Sequence, residues 1–294
     1  MKKVTVFTPA YNRVGLLPRL YESLCRQTSD DFLWLIIDDG STDGTKELAK
    51  KWQNENRIEI RYAYKANGGM HSAHNTAYSM IETELNVCID SDDWMPDDAV
   101  ENILKKWNSI GDKTKIAGII GLDADENGKL IGTAIPADLK FGNLVELYQK
   151  HKVKGDKKLI LRTDIVRKYP PYPEYPGEKL VPLGILYLMI GRDYDFIYSN
   201  EIYCIVDYQP DGSSNTIFRQ YRQSPKGFAY ARILKINYGS SLTEKFKNSV
   251  HLVSSAIFAK DWGLLFKTNQ TFLMLAAVPF GILLNLYIRL KAKS

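Results

Sequence analysis

Asp90, Asp92 and Asp93 follow directly on an uncharged apolar run, Leu85 to Ile89. Carboxylates crowded at the mouth of a buried strand repel one another and call for a cation. An Asp-X-Asp in such a place suits a hard divalent metal, Mg²⁺ or Mn²⁺, which takes one or two carboxylates and completes its sphere with phosphate oxygens and water. Two other polar clusters also follow apolar runs: Thr8-Pro9-Ala10-Tyr11-Asn12-Arg13 after Val4 to Thr8, and Asp38-Asp39-Gly40-Ser41-Thr42-Asp43-Gly44-Thr45 after Phe32 to Ile37. The stretch from Asp39 to Thr45 reads equally well as turn and N-cap chemistry, because short polar side chains accept from the free N–H groups of a helix start.

Short apolar runs alternating with amphipathic segments must carry these clusters. Strands are expected at Val4 to Thr8, Phe32 to Ile37, Ile58 to Tyr64, Leu85 to Ile89 and Ile116 to Leu122. Helices are expected at Leu16 to Gln27, Glu47 to Asn54, Ser72 to Ile81, and from Pro96 to about Trp107. This alternation predicts an α/β fold with a mostly parallel sheet flanked by helices. In such sheets ligands bind beyond the carboxyl ends of the strands, so clusters after strands one, two and four converge on one crevice. Past Asp123 the alternation decays. A Tyr/Pro loop occupies 169–177, a helix follows from about Val181, a strand lies near Ile202 to Val206, and basic helices start at about Gln223.

The 294 residues carry a formal net charge of +5 that conceals an asymmetry: residues 219–294 sum to +10 and the rest to −5. A basic tail on an acidic body points to an anionic surface as partner. Residues 268–288 lack charge altogether, and nucleic acid gives no reason for so long an apolar run. As a helix the run reaches roughly 31 Å, enough to cross a bilayer. Pro279 and Gly281 interrupt its middle, and one crossing from a cytoplasmic domain puts Arg289, Lys291 and Lys293 on the wrong side for the positive-inside tendency. A broken helix lying in the interface or re-entering on the same side is therefore expected, with a buried core helix pair as the alternative. The amino-terminal residues do not fit a signal peptide, and Cys25, Cys88 and Cys204 have no metal-type spacing, so a cytoplasmic chain with free thiols is expected on the inner face of the membrane. The expected organisation is a catalytic domain over 1–218, with halves 1–122 and 123–218, and a basic helical extension over 219–294.

Thr8-x-x-Tyr11-Asn12, the Asp38-to-Thr45 run, Asn67-Gly68-Gly69 followed by His74-Asn75, and Asp90-Ser91-Asp92-Asp93 occur in the order and spacing of a known group. Over roughly residues 3–122 the chain resembles the family 2 glycosyltransferases, inverting enzymes of the GT-A fold that use nucleotide-diphospho-sugars, and among them those of bacterial capsule, exopolysaccharide and lipopolysaccharide assembly. The resemblance implies a nucleotide-sugar site containing Thr8, Tyr11, Asp39, Asn67, Gly68, His74, Asp90 and Ser91. Tyr11 would pack on the base, Asp39 accept from a uracil N3–H, Asp90 bond the ribose or sugar, and Asp92 coordinate the metal on the phosphates. Where many relatives carry a basic residue before the asparagine, this chain has His74. The acidic pair that commonly supplies the base corresponds to Glu178-Lys179, so Glu178 is implied as general base, with helix capping as its alternative role. The implied partners are a nucleotide-sugar donor, a glycan or polyprenyl-linked glycolipid acceptor and the cytoplasmic face of a membrane, and no nucleic acid.

Other classes fit less well. A dinucleotide-binding dehydrogenase needs Gly-x-Gly-x-x-Gly after strand one, where this chain has Thr8 to Arg13, and a P-loop lysine motif is missing. A response-regulator-like phosphoacceptor leaves the second acidic cluster unexplained, and the glycine-rich loop of a sugar-nucleotide pyrophosphorylase is absent. The alternative from another class is a catalytically silent nucleotide-sugar-binding or scaffold subunit of a membrane assembly complex.

Overall fold

The computed structural model describes residues 2–208, 216–239 and 241–291. Strands β1 (Val4–Ala10), β2 (Phe32–Asp38), β3 (Ile60–Tyr64) and β4 (Leu85–Cys88) alternate with helices α1 (Leu17–Cys25), α2 (Thr45–Glu55) and α3 (Met70–Met80). Next come α4 (Ala99–Asn108), β5 (Ile116–Ala124), β6 (Phe141–Gly142), α5 (Leu144–Gln149), β7 (Lys157–Arg162), α6 (Thr163–Val166), α7 (Gly184–Asp193) and β8 (Asp195–Ile205). Helices α8 (Ile217–Gln223), α9 (Pro225–Tyr238), α10 (Leu242–Ala259) and α11 (Thr271–Lys291) complete the chain.

The sheet order is β3-β2-β1-β4-β7-β5-β8-β6. The β3-β2-β1-β4 half is wholly parallel, whereas β7 runs antiparallel to both β4 and β5. β1 and β2 are buried along their whole length, which is why β2 is a continuous apolar run up to Asp38, whereas β1 also buries the hydroxyls of Thr5 and Thr8. On one face, Leu17, Leu20 and Leu24 of α1 pack with Val4, Val6, Trp34 and Ile36; on the other, Ala73 and Ala77 of α3 cover Phe7, Leu35 and Ile37.

The central strand β7 is the most consequential of the elements that periodicity missed, with β6, α5 and α6 beside it in the chain. It opens on Lys157-Lys158, which reads as surface. Yet Lys157 is buried, its ammonium donating to the carbonyls of Lys154, Gly155 and Asp156. Asn86, fully buried, ties β4 to this strand by donating to the Leu161 carbonyl and to Thr163 Oγ1.

Two compact units result: residues 1–67, 73–170 and 186–209 form one, and 68–72, 171–185 and 210–294 the other. Residues 171–185, most of the Tyr/Pro loop among them, and the short 68–72 segment group with the carboxyl-terminal helices.

Within the second unit, α11 is one continuous helix, not the broken one its Pro279 and Gly281 suggest. Its other contacts explain this. Gly281 lets α11 approach α10 so closely that a side chain there would overlap Val253, and Asn285 donates to the carbonyl and hydroxyl of Ser254. Phe246 meets Phe280, and Phe258 lies under Arg289, so the two helices run side by side in one direction. Pro279 sits on the exposed face, away from this seam. The same face presents Phe272, 90% exposed, Leu275, Leu283, Leu286 and Leu290. Lys293 lies outside the described residues.

Candidate active site

The carboxyl ends of β1, β2, β3 and β4 bring the polar clusters together. Ala10 pairs with Asp38 in register, and Asp39 N–H donates to the Ala10 carbonyl at 2.8 Å, which sets the loops after β1 and β2 edge to edge. Asn12 locks them. Its N–H donates to Ser41 Oγ and its Oδ1 accepts from Thr42 N–H, both at 2.9 Å, in a left-handed backbone conformation that asparagine tolerates. Tyr11, beside this lock, is exposed.

The adjacent aspartates have different roles. Asp38 is fully buried and accepts from Ser41 N–H at 2.7 Å and from the Tyr62 hydroxyl at 2.5 Å, so it shapes the turn. Asp39 faces the third strand: Lys65 Nζ lies 2.8 Å from its Oδ1, and Asn67 Nδ2 lies 3.1 Å from its Oδ2. Gly40, at φ +88°, makes room for this arrangement, since a Cβ there would come within 2.9 Å of Asn67 N. Thr8 is also buried, and its hydroxyl accepts from Trp34 Nε1 at 3.0 Å, a bond spent on the core.

Beyond β4, Ser91 and Asp93 are buried, whereas Asp90 and Asp92 keep some exposure. Burial, then the neighbouring Asp90 charge, raise the Asp92 carboxyl above its ordinary value. Asp93 is pushed up to about 7, mainly by burial. Its carboxylate bolts the loop to the end of β8, accepting from Cys204 Sγ and from Asp207 N–H. Arg19 of α1 braces the same loop: it donates to the Asp92 carbonyl at 2.5 Å and to Asp207 Oδ2 at 2.8 Å while lying over the Trp94 ring. Lys158 supplies the buried counter-charge. Burial works against its ammonium, but Cys204, Asp123, Asp90 and Asp93 together hold it protonated.

Among the described residues no group of three His, Cys, Asp or Glu side chains forms a complete metal cage. Asp90 and Asp92 keep some exposure, and they would supply the one or two carboxylates that Mg²⁺ or Mn²⁺ takes when phosphate oxygens complete its sphere. His74 lies in the core: buried, edge-on to Phe7, with Nδ1 3.3 Å from the Tyr78 hydroxyl and Nε2 3.6 Å from Cys88 Sγ.

Gly68 and Glu178 belong to the second unit. There Gly69 has φ +89°, and a Cβ on it would collide with the Lys179 carbonyl, so the glycines allow backbone to touch backbone. Glu178 caps α9 from outside it, accepting from Lys226 N–H at 3.0 Å and Gly227 N–H at 2.9 Å.

Residues 5–169 match the description "Glycosyl transferase family 2", more than half of the chain. The chain belongs to glycosyl transferase family 2. It is 34% identical over 104 residues to the glycosyltransferase GlyA of Streptococcus pneumoniae serotype 4, covering 35% of this chain and 15% of that protein. To the chondroitin synthase of Pasteurella multocida it is 39% identical over 111 residues, covering 38% and 11%. The matched region thus spans less than a fifth of these relatives. In architecture this family 2 chain is similar to S. aureus TarS 1-349 in complex with UDP-GlcNAc, with TM-score 0.65, 16% identity, and 95% of this chain and 80% of that one covered. It is also similar to the mannosyltransferase PcManGT from Pyrobaculum calidifontis in complex with GDP-Man and Mn2+, with TM-score 0.57, 17% identity, and 97% and 87% covered. These likenesses establish the GT-A-type α/β fold.

Lys65, Arg19 and Lys158 escaped the sequence reading. Lys65 stands two residues before Asn67 and was within reach of it; Arg19 sits on a helix and Lys158 on the unrecognised β7, where nothing local marks them.

Proposed function

We propose that this family 2 chain is a metal-dependent inverting glycosyltransferase, moving a sugar from a nucleotide-diphospho-sugar, foremost a UDP-sugar, to a hydroxyl of a glycan or polyprenyl-linked glycolipid in surface polysaccharide assembly. One observation carries the proposal: Tyr11, Asp39, Asp90 and Asp92 stand at the carboxyl ends of adjoining parallel strands in a family 2 scaffold. The nucleotide-sugars named with TarS and PcManGT, and the polysaccharide named with the chondroitin synthase, support the substrate class.

In this reading Tyr11 stacks on the base, Asp39 accepts its N–H, Asp90 bonds the ribose, and Asp92 holds Mg²⁺ or Mn²⁺, a Lewis acid for the departing diphosphate. Glu178 takes the proton of the acceptor hydroxyl as its oxygen attacks C1; the bond from C1 to the β-phosphate oxygen breaks, and the configuration inverts. Its two capping bonds fix the orientation of the carboxylate, and each oxygen keeps a lone pair. The same bonds favour the second reading, a silent scaffold in which Glu178 only caps α9.

We also assign the protein to the inner face of the membrane. One face of α11 is committed to α10, which carries Lys245 and Lys247, so crossing would drag charge into hydrocarbon. Lying in the interface avoids that cost, with Lys260, Lys267 and Lys291 toward anionic headgroups.

The deciding assay measures release of nucleoside diphosphate from UDP-sugars with and without Mn²⁺. Turnover that needs metal and disappears in Asp92→Ala supports the transferase; tight UDP binding without turnover on any donor or acceptor supports the scaffold.

A further inference from the structure

Arg232 and Lys235 stand three positions apart on α9, so their side chains leave the helix on one face, and both are partly buried. Arg232 Nη1 donates to Asn248 Oδ1 of α10 at 3.0 Å and Nη2 to the Tyr221 hydroxyl of α8 at 3.4 Å, while Nε is enclosed with no hydrogen-bond partner among the described residues. Among those residues neither cation forms a salt bridge; the carboxylate that acts on both, Glu244, is already paired with Lys247 at 3.1 Å. Burial works against the charge of each, and the Arg232 charge works against Lys235 as well. Burial and then this same pair push His251 of α10 down to about 4, so at neutral pH it adds a polar edge and no third charge. Two like charges in a partly desolvated seam are costly unless an anion meets them. Tyr221 joins the seam to apolar surface. Phe218, three positions before it on α8, lies edge-on to its ring at 6.5 Å and meets Tyr287 of α11 at 5.7 Å. Tyr287 is 48% exposed and shares its face with the exposed Leu283 and Leu290. A run of rings thus leads from the cations to the apolar row of α11.

We propose that Arg232 and Lys235 form a binding site for the terminal phosphate of an anionic membrane lipid, whose hydrocarbon lies along Phe218, Tyr287 and the exposed row of α11. Charged head followed by hydrocarbon is the order of polarity that this surface offers. Arg232 spends two of its five N–H donors within the described residues and Lys235 none of its three, which leaves a fork and an ammonium for phosphate oxygens. Charge favours a monoester over a diester. A phosphomonoester carries about −1.5 to −2 at neutral pH and matches two cations, whereas a diester brings one charge and leaves one cation unmet. Lys260 and Lys267 attract any anionic surface alike; the α9 pair selects a headgroup within it.

This inference rests on the membrane reading of α11 and adds a specific headgroup to it. The test is flotation of the full chain with phosphatidylcholine vesicles that contain either phosphatidic acid or phosphatidylglycerol, matched in surface potential, for wild type, Lys235→Met and Arg232→Gln. Wild type is expected to bind the phosphatidic acid vesicles at least about tenfold more tightly, the scale of one charge-assisted hydrogen bond, and both variants to bind the two kinds alike. A lysine that only packs would lose stability and spare the preference. Lys235→Met is instead expected to raise the thermal midpoint of the lipid-free protein, because it removes a like-charge contact, while abolishing the preference. If Arg232→Gln does not fold, Lys235→Met decides. Thermal melts of wild type in inorganic phosphate and in chloride, at equal ionic strength, separate a lipid headgroup from a free anion. Stabilisation by phosphate with no discrimination between vesicles assigns the pair to a soluble phosphate and overturns the lipid. Equal binding of both vesicles without a phosphate effect, or a preference retained by folded Lys235→Met, overturns the site and leaves the membrane reading standing. Failure of wild type to float with either vesicle overturns both.

Discussion

Asn12 and Thr42, thirty positions apart, are joined by a 2.9 Å hydrogen bond from the Thr42 N–H to Asn12 Oδ1, and the Asn12 N–H returns a bond to Ser41. This lock sets the exposed Tyr11 beside the Asp39 turn. Asn12→Ala removes the acceptor and leaves a residue with no local side-chain bond at φ 53°. It is expected to cost about 1–3 kcal/mol of stability in urea unfolding and to raise the KM for the donor by a larger factor than it lowers kcat. An unchanged KM would show that the loop holds its shape without the lock.

Glu178→Gln separates capping from catalysis. An amide offers one acceptor oxygen where the carboxylate meets both Lys226 and Gly227 N–H groups with one oxygen each, so about 1 kcal/mol of stability is lost. UDP binding is expected to persist while sugar transfer falls by at least about a hundredfold, the usual scale for removing a general base. Transfer at the wild-type rate by a folded Gln variant would remove Glu178 from the mechanism.

The acid limb of the stability curve should carry the signature of His251. Its imidazole on α10 packs edge-on to Tyr221, and burial, then the charges of Arg232 and Lys235 on α9, push it from 6.5 down to about 4. The unfolded chain therefore takes up this proton first. Stability is full above about pH 6.5, falls as the pH drops toward 4, and loses nothing further from this group below that. The slope is at most about 1.4 kcal/mol per pH unit. His251→Phe keeps the ring contact and is expected to flatten that window in denaturation series between those pH values.

The exposed row on α11 is predicted to bind membrane. Replacing Phe272, Leu283 and Leu290 by Ser leaves the α10 seam of Gly281 and Asn285 intact, so thermal stability should change little. Flotation with vesicles containing anionic lipid should fall by at least about tenfold, because each lost side chain removes roughly 1.5–3 kcal/mol of apolar burial. Equal flotation of the triple variant would place the membrane contact elsewhere or nowhere.

The amino-terminal half was legible because its information is local. Buried parallel strands are mostly apolar, helices between them amphipathic, and ligand groups follow the strand ends; β1, β2, β4 and the positions of the clusters at Tyr11, Asp39 and Asp92 were all placed by those rules. Family membership rests on the same stretch. β7 failed the rules because its opening lysines look like surface until the fold supplies carbonyls for Lys157 and carboxylates for Lys158.

Sequence alone therefore determined which residue types stand at the ends of which strands, and with them the family and the class of chemistry. Tertiary structure decided how those groups are paired. Lys65 reaches Asp39, Arg19 reaches Asp92, His74 turns into the core, Glu178 caps a helix nearly fifty residues away, and α10 keeps α11 unbroken through Pro279. The physical reason is one of range. Backbone periodicity and burial are written in neighbouring residues, whereas a hydrogen bond or ion pair between distant segments exists only once the sheet and the helix pairs have brought their ends together.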